Sequence, residues 1–291
     1  MKRWIVIGGA VLAIAAILVV VGVGGSSTET VPSSTITDAA AATSSTGGYR
    51  MALNGSMKVP GVDRTIPLQG SGVIDSKRRS ASMTMRFSGL PNVPSGAKID
   101  EVMQNFVVYM RSPLFERGLP SGKSWMKLDL RKSSQQFGID PSQMSTDPTK
   151  ALDQLRAVSG RVERVGRESV RGVSTTHYRA RADLRRYPNL VPPERRDAAR
   201  KGVEKLIQLT GTSGFPEDVW IDSRKHIRRF ALEFQMRVPN LPGDAKISMK
   251  MQQELYDFGV PVRVEVPPAD ETFDATELAQ RAQRDATKTW P

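Results

Sequence analysis

The stretch Phe230-Ala231-Leu232-Glu233-Phe234-Gln235-Met236-Arg237 places large apolar side chains at every second position, with small or polar ones between them. A period of two is the signature of an extended strand with one dry and one wet face, because successive side chains of a strand point to opposite sides. Working outward, the period recurs. Ala81, Met83, Met85 and Phe87 alternate with Ser82, Thr84 and Arg86, and Phe106, Val108 and Met110 form another such face. Trp125, Lys127 and Asp129 alternate with Met126, Leu128 and Leu130, and Val219-Trp220-Ile221 precedes the opening stretch. Ile247, Met249 and Met251, spaced by Lys246, Ser248 and Lys250, follow it. Turn chemistry separates these runs at Pro60-Gly61, Gly89 to Pro94, Leu119 to Gly122, Asp222 to Lys225 and Pro239 to Gly243. Strict alternation predicts antiparallel strands.

Helix signals are few. Asp147-Pro148 is a cap and first-turn pair, followed at helical spacing by Ala151, Leu152, Leu155 and Val158 up to Gly160. A second helix is expected from Pro192 to about Leu209, and a weak third from Thr276 to Asp285. Many antiparallel strands with inserted helices make an α+β domain. Ten of the twelve methionines fall in or beside the expected strands. Methionine is unbranched and polarizable, so such a surface adapts to an irregular apolar partner as readily as it fills a core.

Residues 1–25 read as a signal-anchor. Lys2 and Arg3 precede an uncharged run from Trp4 to Gly25, and 22 residues suffice for a helix to cross a bilayer. The flanking charge sets the N-terminus in the cytoplasm and the rest outside; small residues at Gly22–Gly25 and Ala39–Ala42 leave cleavage and secretion as the alternative. Residues 26–48 contain 12 Ser or Thr among 23. They are expected to form a flexible linker, since such a composition buries too little apolar surface to offset its ordering entropy. The folded domain is expected over 49–291.

Composition narrows the chemistry. With 291 residues the chain is long enough for a self-sufficient core, and its 42 basic against 30 acidic side chains give a formal charge of +12. There is no cysteine, which removes disulfides, thiolate metal sites and thiol nucleophiles. The two histidines, His177 and His226, are too few for a multi-histidine metal centre. No Gly-x-Ser-x-Gly elbow stands on a strand-to-helix turn, and no phosphate-binding glycine loop is present. No catalytic residue, metal or cofactor is expected. His177, between Thr176 and Tyr178, reads as a hydrogen-bonded structural histidine and His226 as a solvated turn residue.

Charge is concentrated between Arg161 and Lys201, where 12 basic and five acidic side chains leave an excess of +7. Arg181, Arg185, Arg186, Arg195, Arg196 and Arg200 are the candidates there for binding an anionic surface, by attraction to phospholipid headgroups or an acidic wall polymer. The alternative is a merely solvated face. An extracytoplasmic position and the absence of interleaved aromatics argue against nucleic acid.

Several motifs, in order, resemble the actinobacterial LppX/LprG-type (LppX_LprAFG) envelope lipoproteins: Trp125-Met126-Lys127-Leu128-Asp129-Leu130; Asp147-Pro148 with Leu152 and Leu155; Val165-Gly166-Arg167-Glu168 through Gly172; Thr175-Thr176-His177-Tyr178; Asp183-Leu184; Val219-Trp220-Ile221-Asp222 with Arg228-Arg229; and Tyr256-Asp257-Phe258-Gly259 with Val266-Pro267-Pro268-Ala269-Asp270. The resemblance implies a LolA/LolB-like fold, a strongly curved half-barrel sheet with helices on its concave side and a hydrophobic cavity for acylated lipid or glycolipid. The chain departs from that family in lacking the acylated cysteine, so the Trp4–Gly25 helix would take over anchoring at the plasma membrane. Cavity lining is expected from Met83, Met85, Phe87, Phe106, Val108, Met110, Phe230, Leu232, Phe234, Ile247, Met249 and Met251. The resulting expectation is a membrane-anchored extracytoplasmic lipid carrier or sensor. A filled-core envelope protein docking anionic lipid or wall polymer is the alternative.

Overall fold

The computed structural model describes residues 30–31, 34–88, 96–116, 118–134, 159–189, 191–214, 216–237 and 245–281. In chain order these form β1 (Thr30–Val31), α1 (Ser34–Ser45), β2 (Gly48–Lys58), β3 (Ile66–Asp75), β4 (Ser80–Phe87), β5 (Lys98–Gln104), β6 (Val107–Arg111), α2 (Pro113–Glu116), β7 (Trp125–Asp129) and α3 (Leu130–Ser134). Then come β8 (Ser159–Val170), β9 (Val173–Ala182), two short 3₁₀ segments, α4 (Arg196–Thr210), β10 (Pro216–Asp222), β11 (Ile227–Arg237), β12 (Lys246–Tyr256) and β13 (Thr272–Asp274). All thirteen strands lie in one open, curved sheet of order β1-β8-β9-β10-β11-β12-β2-β3-β4-β5-β6-β7-β13.

The order has a simple origin. β2 to β7 is one antiparallel meander and β8 to β12 is another, and the two are zipped together where β12 pairs with β2. Only β13, added to β7, is parallel. Tight hairpins join neighbours: Arg171 and Gly172, with φ of 49° and 77°, connect β8 to β9 in the left-handed geometry that matches strand twist.

The alternation read from the sequence sorts the two faces. Met51, Leu53 and Met57 of β2 point the same way as Met83, Met85 and Phe87 of β4 and Met249 and Met251 of β12, all of them buried in the main core cluster. A smaller cluster of Val108, Met110, Leu128 and Ala275 continues that side of the sheet toward β13. The other side carries Asn54, Ser56, Gln69, Ser71, Thr84 and Arg86.

Two glycines permit close backbone approach within the sheet, Gly55 at the seam of the two meanders and Gly72 between β3 and β4. A Cβ on Gly55 would stand 2.5 Å from the Lys250 carbonyl oxygen, and one on Gly72 would stand 2.3 Å from that of Ser82. Only glycine lets the backbones of adjacent strands stand so close at these positions.

The remaining sequence expectations meet the structure in different ways. Residues 34–45, inside the expected flexible linker, form α1. Ile36, Ala39 and Thr43 are buried, and Ala40 packs against the main cluster. The spacing i, i+3, i+4, i+7 is an apolar stripe narrow enough to hide within a Ser/Thr-rich composition. Phe106 leaves the alternation of Val108 and Met110: with Asn105 it makes the β5–β6 turn, at φ of 65° and 49°, so the strand starts at Val107. The helix expected from Asp147 to Gly160 falls outside the described residues up to 158, and Ser159 and Gly160 belong to β8 instead. The helix expected from Thr276 is present over 276–281, with the rest outside them. The second expected helix is realised as a 3₁₀ turn at Pro193–Arg195 followed by α4. The Trp4–Gly25 segment lies outside the described residues, and no helix among those described is long and apolar enough to cross a membrane.

Candidate functional site

Side chains on the apolar side of the sheet line up in rows that run across the strands. One row is Leu255, Met51, Gly72, Met83, Glu101, Met110, Met126 and Phe273, each paired with the next in register. The next is Phe230, Gln253, Leu53, Gly70, Met85 and Ile99. A third is Leu232, Met251, Gly55, Leu68 and Phe87. Each row contains one glycine on β2 or β3, so the centre of this face has the shortest side chains. The surface is apolar, methionine-rich and continuous over eight strands.

Two polar side chains interrupt it. Glu101 is 5% exposed and Gln253 3%. Burial alone pushes the Glu101 carboxyl up to about 7. The Gln253 amide nitrogen has no hydrogen-bond partner among the described residues. Alternation could not flag either one, since both occupy positions the period assigns to apolar residues.

Of the expected lining residues, Met83, Met85, Phe87, Leu232, Phe234, Ile247, Met249 and Met251 are gathered in the main cluster, with Phe230 packed against it. Val108 and Met110 belong to the smaller cluster, and Phe106 is half-buried in its turn. The expected anionic-surface residues are spread along the chain beyond β8. Arg181 ends β9 and reaches the Gly214 carbonyl at 3.4 Å, Arg185 and Arg186 sit in the first 3₁₀ segment, and Arg196 and Arg200 are on α4. All five are exposed, and Arg200 is paired with Asp197 at 3.0 Å. The side chain of Arg195 lies outside the described residues.

His177 stands on the polar side of the sheet in a dense cross-strand network. Its Nε2 is 2.7 Å from Asp218 Oδ1, which also accepts from Arg179 Nε at 2.7 Å. Burial would raise the Asp218 carboxyl, but those two partners outweigh it and hold it below the usual range. His177 Nδ1 is 3.0 Å from Glu168 Oε1, in an approach too oblique for a hydrogen bond, while Trp220 Nε1 donates to Glu168 Oε2 at 2.9 Å. The imidazole is stacked on the Trp220 indole, which in turn lies under Arg229. With both ring nitrogens turned to carboxylates, the arrangement clamps β8, β9 and β10 together. No hydroxyl among the described residues is positioned on the ring for activation.

His226 also differs from the solvated turn residue expected. It is half-buried against Phe258, at a centroid distance of 4.7 Å, and its backbone N–H donates to Asp222 Oδ1 at 2.8 Å.

No family model matches the sequence. A protein of Streptomyces griseus, known as an uncharacterized 31.2 kDa protein in the rplA-rplJ intergenic region, is 27% identical over 171 residues. The match covers 55% of this chain and 51% of that protein, so the chain spans about half the length of the curated relative it matches. Among solved structures, the Mycobacterium tuberculosis lipoprotein LppX is similar at a TM-score of 0.45 and 13% identity, over 79% of this chain and 98% of that one. LprF of Mycobacterium bovis follows at 0.38 and 11%, over 81% and 97%. A LolA superfamily protein of Nitrosomonas europaea stands at 0.27 and 8%, over 78% and 95%.

Proposed function

We propose that the chain is a lipid-binding protein of the cell envelope, anchored by its Trp4–Gly25 segment with the folded domain outside the cytoplasm. It holds acyl chains of a lipid or glycolipid against the apolar side of its sheet, as carrier or sensor, without a catalytic step. The observation that carries this reading is the continuous methionine-rich face over eight strands, whose rows are interrupted by a buried acid and a buried amide. Each methylene taken up from water contributes about 0.8 kcal/mol, so a long chain is retained without polar specificity. Methionines let the lining conform to chains of different length and unsaturation.

The test is lipid extraction and mass spectrometry of the full-length chain purified from a bacterial membrane lysate, beside uptake of a fluorescent fatty-acyl probe. Acylated lipid bound in a stoichiometric amount is expected. Protein that carries none and takes up no probe would retire the reading.

A second reading is favoured by one observation. Arg167, Arg196 and Lys201 are exposed and have no acidic partner among the described residues. A surface of this kind docks anionic headgroups or an acidic wall polymer. Binding to anionic vesicles that collapses between low and physiological salt, with no acyl chain retained, would favour it over the first.

A further inference from the structure

Glu101 is an acid where the pattern of the sheet calls for an apolar residue. It faces Met83 on one side and Met110 on the other, with Ile99 and Met103 beside it along β5. It joins the main cluster, which contains Met83, to the smaller one, which contains Met110. The charged side chains nearby in sequence, Lys98, Asp100 and Arg111, belong to the opposite side of the sheet, where Asp100 pairs with both cations. Among the described residues no side chain on Glu101's own face of β4, β5 or β6 is charged, and none donates to its carboxyl or accepts from it. A carboxyl largely removed from water with no partner is a cost that folding alone gives no reason to keep.

We propose that Glu101, in its protonated form, is the polar anchor of the lipid site, donating a hydrogen bond to an ester oxygen of the acyl lipid that lies along the methionine row. This rests on the lipid-binding reading above and adds the ligand's chemistry to it: an acyl ester rather than a bare hydrocarbon. The carboxyl is held up to about 7 by burial, so it carries its proton in mildly acidic solution. A bound ester excludes the remaining water and holds the proton more firmly, raising the acid's titration point further. Affinity for the ester is therefore complete at low pH and declines as pH rises through 7 and above, when the ionised carboxylate can no longer donate and must be rehydrated. Hydrocarbon binding needs no donor.

The experiment uses the full-length chain held in an amphipathic polymer and two fluorescent probes of equal length, a pyrene-labelled acyl methyl ester and a pyrene-labelled alkane. Binding is measured at pH 5.5 and pH 8.5. Wild type is expected to prefer the ester about five- to tenfold at pH 5.5, the ratio that one hydrogen bond supports, and to lose most of that preference at pH 8.5. Glu101→Gln keeps an N–H donor without a titrating proton, so its preference should persist at both pH values. Glu101→Leu should bind both probes equally at both. Ester preference and pH dependence retained in Glu101→Leu, or pH dependence retained in Glu101→Gln should the leucine variant not fold, overturns the anchor. Alkane uptake by wild type without ester preference also overturns it while leaving lipid binding intact. Uptake of neither probe at either pH overturns both readings.

Discussion

The hydroxyl of Thr43 accepts a hydrogen bond from the Ile227 backbone N–H at 2.8 Å and donates its own proton to the Ala39 carbonyl at 2.7 Å. One buried side chain thereby ties α1 to the first residue of β11, 184 positions away in the chain. Ala39 and Ile36, one and two turns earlier, are buried in the main core. The helix is therefore part of the domain, and the folded unit starts well before Tyr49.

Replacing Thr43 with valine keeps the shape but leaves the Ile227 N–H buried without an acceptor. Thr43→Val is expected to lower unfolding free energy by about 1–3 kcal/mol. Urea unfolding of the two proteins checks it, and an unchanged midpoint would show that α1 is not docked as described.

Two glycines in the same sheet should respond in opposite ways to one methyl group. At Gly72 the Cβ would stand 2.3 Å from the Ser82 carbonyl oxygen and 3.0 Å from Met83 Cα, both backbone atoms that only strand separation can move. Gly72→Ala is expected to cost about 2–4 kcal/mol. At Gly166 nothing lies within 4 Å, and Gly166→Ala should be neutral or stabilising by about 0.5 kcal/mol. Thermal melts of the two variants side by side decide it.

Stability should depend on pH in two windows of opposite sign. Burial would raise the Asp274 carboxyl, but Lys127 Nζ at 2.8 Å and the Thr276 N–H and hydroxyl outweigh it and hold it at about 2. Its native titration point is below that of the unfolded chain, so its contribution is present above pH 4 and is lost as pH falls from 4 to 2. Asp274→Asn should flatten the melting profile there.

Glu101 acts the other way. Its native titration point, about 7, is above the ordinary 4.5, so stability is fully present below pH 4.5 and declines as pH rises to 7. The loss is on the order of 3 kcal/mol at the conversion of about 1.4 kcal/mol per unit. Glu101→Gln should be nearly flat from pH 4.5 to 7.5, and wild-type melts lacking a decline over that range would contradict the burial of a free acid.

Removing the imidazole of His177 takes away its bond to Asp218 and its stack on Trp220, whose centroid is 4.2 Å away with the planes 10° apart. His177→Ala is expected to destabilise by about 2–4 kcal/mol while leaving acyl-probe uptake unchanged in the folded fraction. Loss of uptake at unchanged stability would instead place the residue in the binding machinery.

The strands were legible in the sequence wherever a side chain's environment follows its own parity. Met83, Met85, Phe87, Leu232, Phe234, Met249 and Met251 announce a dry face because the period of two is a property of the local backbone. The turns at Pro60-Gly61 and Asp222 to Lys225 were legible for the same local reason. Residues judged by composition misled: the Ser/Thr content of 26–48 hid the Ile36, Ala39, Ala40 and Thr43 stripe, whose partners are supplied by distant strands. Parity also miscarried at Phe106, because the Asn105-Phe106 turn carries no glycine to mark it.

By itself, then, the sequence determined the α+β class, the antiparallel strands and which of their side chains avoid water, all of them consequences of spacing along one chain. Only the tertiary structure decided that β12 pairs with β2, that Gly55 and Gly72 stand hard against the backbone of a neighbouring strand, and that Glu101 is seated between Met83 and Met110. Those facts depend on strand order and register between segments far apart in sequence. Pairing energies along different strands are nearly interchangeable locally and become specific only when a whole face must be buried at once.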